Sequence, residues 1–208
     1  MRRPWLIACL LAVAVPAAGD VTPLPPGPPK SDRAAACAHL TCRSTIRDLQ
    51  LRGKDGAAIH VSSQTVPYVD DDGRVALYAG EAIEISFADR NDLRHPKFVR
   101  VIDRVDLAGL TGYHAGAPPP AGQAKLSLEL RQTPGKADMM LVLRNDTGVA
   151  VKYDATMFVP TDHDMGSART STCAILPGTM GNEMWPHPVA MLLLSGFHKV
   201  DNDNISCE

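Results

Sequence analysis

Residues 125–131 alternate strictly, with Leu126, Leu128 and Leu130 on one side and Ser127, Glu129 and Arg131 on the other. Successive side chains of an extended chain point to opposite faces, so this period of two commits the segment to a strand with one buried and one wet face. The same spacing recurs in Ile83, Ile85 and Phe87, in Met139, Leu141 and Leu143, and in Val149, Val151, Tyr153, Ala155 and Met157. Between the last two runs, Asn145-Asp146-Thr147-Gly148 has the composition of a tight reversal and predicts a hairpin. Further strands are expected at 46–51, 58–62, 75–78, 97–105, 170–175 and 189–194, punctuated by Asp72-Gly73, Pro134-Gly135 and Pro177-Gly178. Many short strands with almost no helical pattern predict an all-β fold. The expected form is a two-sheet antiparallel β-sandwich, immunoglobulin-like or fibronectin-like.

The N-terminus reads as an export signal. Arg2 and Arg3 precede an uncharged apolar run over 5–15, and the small residues Ala17, Ala18 and Gly19 follow. That order describes a secretory signal peptide over 1–19, and the run is shorter than the roughly 20 apolar residues of a membrane span. A lipobox-like stretch ending at Cys9 lies ahead of most of the apolar run, too early to serve as one. The expected location is periplasmic or secreted, with no membrane span after cleavage. Residues 20–36 form a proline-rich spacer: five of the ten residues 21–30 are proline, which favours polyproline II and excludes a sheet interior. The alanine-rich 32–39 suits a short helical turn. Residues 37–208 are then a single domain.

Without Cys9, four cysteines remain, and an oxidising compartment favours pairing them. Three connectivities are possible; Cys37–Cys42 with Cys173–Cys207 is preferred, closing one local loop and tying the chain's last residues to an interior strand. A four-thiolate zinc site fits poorly, because Cys173 and Cys207 are isolated from one another in sequence. The chain carries 21 Lys and Arg against 23 Asp and Glu, with no basic run, which argues against a nucleic-acid partner.

No Gly-x-Ser-x-Gly, His-Glu-x-x-His or glycine-rich phosphate loop is present. The expectation is a non-catalytic binding or interaction module of the cell envelope, for a protein, a glycan or a small ligand. Tyr113 and His114, on a long loop over 107–123, are candidate contacts. So are Glu183, Trp185 and His187, in a segment where the mature chain's one tryptophan stands beside prolines. Trp185 equally suits a plug for the open end of the sandwich.

The alternative is copper handling. Thioether and imidazole ligands suit copper, and every methionine after the first lies between 139 and 191. The candidate ligands are His163, Met165, Met180 and Met184, with His187; the three methionines are expected on loops, and Met139, Met157 and Met191 in the core. The order of cysteine, histidine and methionine does not match a blue-copper site. The acidic and amide-rich tips at 70–73, 161–164 and 201–204 suit turns as well as hard cations, and the first fits no EF-hand frame. A hydrolytic enzyme pairing Glu183 with Asp162 or Asp164 is a further alternative.

Overall fold

The computed structural model describes residues 22–23, 35–45, 47–108, 124–161, 164–201 and 206–207. Their strands are β1 (Thr22–Pro23), β2 (Asp48–Arg52), β3 (Ala58–Ser62), β4 (Val75–Tyr78), β5 (Glu81–Phe87), β6 (Lys97–Ile102), β7 (Ala124–Gln132), β8 (Met139–Asn145), β9 (Ala150–Pro160), β10 (Met165–Thr170), β11 (Met180–Trp185) and β12 (Met191–Val200). The fold is all-β. A first five-stranded sheet runs β1-β10-β9-β12-β4, a second runs β11-β8-β7-β5-β6, and β2 and β3 form a separate hairpin. Every pairing is antiparallel.

The alternating side chains meet where the pattern requires. Ile83, Ile85, Leu126, Leu128, Leu130, Met139, Leu141 and Leu143 from the second sheet share one apolar cluster with Val75, Leu77, Val151, Tyr153, Leu192 and Leu194 from the first. Each of the three leucines of β7 has no exposed surface. At one end of this core the Phe197 ring lies 5.9 Å from both Phe87 and Tyr153, bringing the two sheets into aromatic contact. Leu51 joins the cluster and Ile59 and Val61 pack on it, so the β2–β3 hairpin leans on the same core. Two layers sharing one core is the arrangement a β-sandwich requires.

The turn at Asn145-Asp146-Thr147-Gly148 is not a hairpin. β8 pairs with β7 and β11, whereas β9 pairs with β10 and β12, so the four residues carry the chain from one sheet to the other. Asn145 makes the corner. Its Nδ2 donates to the carbonyls of Val149 and Ile175, both at 2.8 Å, and its Oδ1 accepts from Thr147 Oγ1 at 2.7 Å. Both side chains are fully buried, and their hydrogen bonds replace those that a paired hairpin would have supplied. The real hairpin of this region joins β7 to β8 across Pro134-Gly135, where Gly135 has φ +74°.

Other boundaries also shift. The strand expected at 170–175 is replaced by β10, and β11 arises in a stretch read as a loop, because Met180, Asn182 and Met184 face outward while Gly181, Glu183 and Trp185 face in. A mixed inward set of this kind carries no apolar period for the sequence to reveal. Thr22–Pro23 pair with Ser167 and Gly166 at the outer edge of the first sheet, a position proline tolerates. Ala35 to Leu40 close a helical turn through Leu40 N–H to Ala36 O. Both expected disulfides, Cys37–Cys42 and Cys173–Cys207, are formed. They suit an extracellular or periplasmic protein. Among the described residues no helix is long and apolar enough to cross a membrane.

One charged pair lies inside this fold. Arg43 and Glu81 retain 4% and 5% side-chain exposure, and Nε and Nη2 of the guanidinium meet the two carboxylate oxygens at 2.7 and 2.6 Å. The remaining donors reach the carbonyls of Val66, Pro67 and Ala76, and the cation stacks 4.2 Å from the Tyr68 ring centre. Removing one partner strands a buried charge, so Arg43→Met or Glu81→Met alone should lower unfolding free energy by about 3–5 kcal/mol. The double variant should recover most of that loss in urea titrations, and additive losses would show that the two residues act separately.

Candidate functional site

Beyond β6 the chain turns back across the outer face of the second sheet. The alternation of β7 and β8 leaves Glu129, Arg131, Val142 and Arg144 on that face, and residues 103–107 lie over them. Val105 is 2% exposed and donates its N–H to Glu129 Oε2 at 3.0 Å. Arg144 Nη1 donates to the carbonyls of Asp106 and Ala108, both at 2.9 Å. Beside this strap lies an open cleft of about 750 Å³, lined by Arg100, Ile102, Asp103, Arg104, Asp106, Leu107, Glu129, Arg131 and Val142 among others.

The lining holds three arginines and three carboxylates, of which Asp103 and Asp106 are exposed and Glu129 is buried. Glu129 is 9% exposed and engaged by Arg131 at 3.2 Å, while Arg104 is 74% exposed and stands 4.0 Å from the same carboxylate. Arg100, 65% exposed, reaches Glu84 Oε2 at 3.3 Å. Lys125 holds the other Glu84 oxygen at 2.8 Å. Burial raises the Glu84 pKa, but the hydrogen bonds and charges of Lys125 and Arg100 outweigh it and keep the carboxyl below its ordinary range. Glu84 and Glu129 are thus drawn inward while Arg100 and Arg104 stand outward beside the exposed Asp103 and Asp106, and the outward arginines can meet an acidic group.

The residues singled out from sequence fall elsewhere. Tyr113, His114 and His163 lie outside the described residues. Glu183, on β11, faces inward and accepts the Cys173 N–H at 3.1 Å. Burial raises its pKa, opposed by that hydrogen bond. Trp185 is 7% exposed, with Nε1 donating to Thr170 Oγ1 at 3.0 Å. His187 Nδ1 lies 3.1 Å from the Pro188 carbonyl oxygen. The Tyr153 hydroxyl is buried and has no hydrogen-bond partner among the described residues, and its pKa is driven up by burial and by the nearby Glu183 charge.

Met165, Met180 and Met184 are strand residues, not loop residues as expected. Met165 belongs to the first sheet and the others to the second; Met180 and Met184 share a face but stand about 13 Å apart at strand rise. Met184 is 62% exposed and lies directly across from Met140. Of the presumed core methionines, Met139 and Met157 are buried and Met191 is half-buried. Among the described residues no group of three or more His, Cys, Asp and Glu could hold a metal ion. The acidic tip at Asp70 is a turn, its Oδ1 accepting the N–H groups of Asp72 and Arg74 at 3.1 and 2.9 Å. Asp164 precedes β10, whereas Glu183 lies near Cys173 beyond that strand's far end, roughly 20 Å off at strand rise. That separation does not make an acid–base pair.

The sequence placed Glu129 and Arg131 on a wet face but gave no sign that 103–107 would fold over them. Comparison with family models, curated proteins and solved structures finds no match to this chain.

Because the Glu183 pKa is raised on folding, the native state holds this proton to higher pH than the unfolded chain. Its contribution therefore weakens stability as pH rises above the ordinary glutamate range. Glu183→Gln keeps an acceptor for the Cys173 N–H and should flatten that decline in thermal unfolding measured from pH 4 to pH 8. An unchanged pH profile would mean that Glu183 ionises as freely as in the unfolded chain.

Proposed function

We propose that the protein is an exported, non-catalytic binding module of the cell envelope, an immunoglobulin-like β-sandwich that holds an acid-bearing ligand on the outer face of its second sheet. The leader over 1–19 and the spacer over 20–36 belong to this reading, and the two disulfides support it. The observation that carries it is the open cleft beside 103–107, where Arg100 and Arg104 are exposed while Glu84 and Glu129 are also held by other cations, Lys125 and Arg131. A ligand entering there meets guanidinium donors together with the apolar surfaces of Ile102, Leu107 and Val142.

Calorimetric titration with a capped hexaglutamate tests the reading. Binding should weaken as salt rises and fall about tenfold or more in the Arg100→Glu, Arg104→Glu double variant, because both side chains are surface charges acting on the ligand. Hexalysine should not bind. Equal affinity for the two peptides would overturn the proposal.

A second reading, copper handling, is favoured by the exposed Met184 thioether across from Met140. It predicts that Cu(I) competition detects binding tighter than micromolar, lost in Met184→Ala; absence of such binding removes this reading.

A further inference from the structure

β6 forms one edge of the second sheet, and no described strand pairs with it on the side away from β5. An edge strand offers a row of unsatisfied N–H and C=O groups to any extended chain. This edge is also apolar. The exposed large hydrophobic side chains among the described residues are Val99, Val101, Leu107 and Met184, and three of these four lie in β6 or its continuation. Lys97, Arg100 and a bulge at Val99 limit indiscriminate pairing, yet Val99 and Val101 remain 40% and 49% exposed along the edge.

The charge around the edge selects the occupant. Residues 94–104 contain Arg94, Lys97, Arg100 and Arg104 against the single acid Asp103, a local net charge of +3 in a chain whose total is −2. A second copy of β6 would bring the same positive charge against it, so self-pairing is disfavoured. Arg100 and Ile102 point toward the cleft face, opposite Glu84 and Ala82, while Val101 lies across from Ile83 on the other face. A strand laid along β6 would therefore meet cations on one face and a bare valine on the other.

We infer that β6 is an acceptor for strand addition by an extended polypeptide segment in which acidic and apolar residues alternate. This inference rests on the acid-binding reading given above and names the partner's class. The acidic side chains would lie toward Arg100 and Arg104, and the apolar ones against Val101. The main chain would continue the second sheet past β6.

Fluorescence anisotropy with the full, disulfide-intact chain and a capped octapeptide alternating glutamate with valine tests it. In an added strand only every second N–H faces the acceptor edge. N-methylation of one alternate set should therefore weaken binding by about tenfold or more, and methylation of the other set should leave it nearly unchanged. Reversing charge with Lys97→Glu, Arg100→Glu and Arg104→Glu together, on side chains that are all exposed, should transfer preference to the lysine–valine peptide. The methylation series needs no protein variant, so it stands even if the triple variant folds poorly. Binding that tolerates both methylation sets alike would overturn strand addition while leaving the acid-binding cleft intact. If neither this peptide nor hexaglutamate binds, both proposals fall. A concentration-dependent dimer in sedimentation, abolished by Val101→Glu, would overturn the acidic partner in favour of self-pairing.

Discussion

The Arg43–Glu81 pair is a buried charge constraint at the point where the N-terminal segment, β4 and the start of β5 meet. Glu81 opens β5 directly after the turn that brings the chain over from β4, and its Oε2 also accepts the Tyr78 N–H at 2.9 Å. Arg43 follows Cys42, so the same guanidinium that neutralises Glu81 fastens the Cys37–Cys42 loop and the 66–67 backbone to the edge of the first sheet. Bringing both charges out of water costs several kcal/mol for each ion, and only a complete set of partners offsets it. The pair supplies that set, which makes the junction specific: a neighbouring residue in place of Arg43 would leave carbonyls and a carboxylate unanswered. The Tyr68 ring that stacks on the cation also stacks on Phe98, with ring centres 4.3 Å apart. The junction is therefore continuous with β6, and through β6 with the cleft.

A second polar device, at Asn145, performs the crossing at the other side of the fold. The two differ in kind. Arg43 joins segments far apart in sequence, whereas the Asn145 side chain bonds mostly to its own turn and also reaches Ile175, while its backbone bonds Gly178 and Thr179. Both put buried polar atoms where the chain must leave one sheet for the other, as a layered β fold requires when strands adjacent in sequence do not pair.

What was legible in the sequence follows from this division. Period-two alternation depends only on neighbours along the chain, so β3 and β4 match their expected limits and the core leucines of β7 lie where the pattern put them. Pairing depends on residues far away. The composition of Asn145-Asp146-Thr147-Gly148 specifies a reversal, but whether the next strand returns beside the first is decided by what β9 and β8 find elsewhere. β11 escaped notice because its inward positions are glycine, glutamate and tryptophan, an irregular set made acceptable by Ile175 filling the space over Gly181 and by the Cys173 N–H meeting Glu183. The cleft was harder still. Its arginines come from β6, β7 and the strap, and only the folded sheet sets Arg104 and Arg131 beside Glu129 and Arg100 beside Glu84.

The Cys173–Cys207 bond has a directional effect. Cys173 is held beside β11, and β11 and β6 are the two opposite margins of the second sheet, four strand spacings or about 19 Å apart. The bond therefore holds Cys207 on the β11 side of the fold, away from β6. One margin of the sheet is thus tied to the end of the described chain by a covalent bond, and the other, at β6, is held by hydrogen bonds to β5 and by the Phe98–Tyr68 stack.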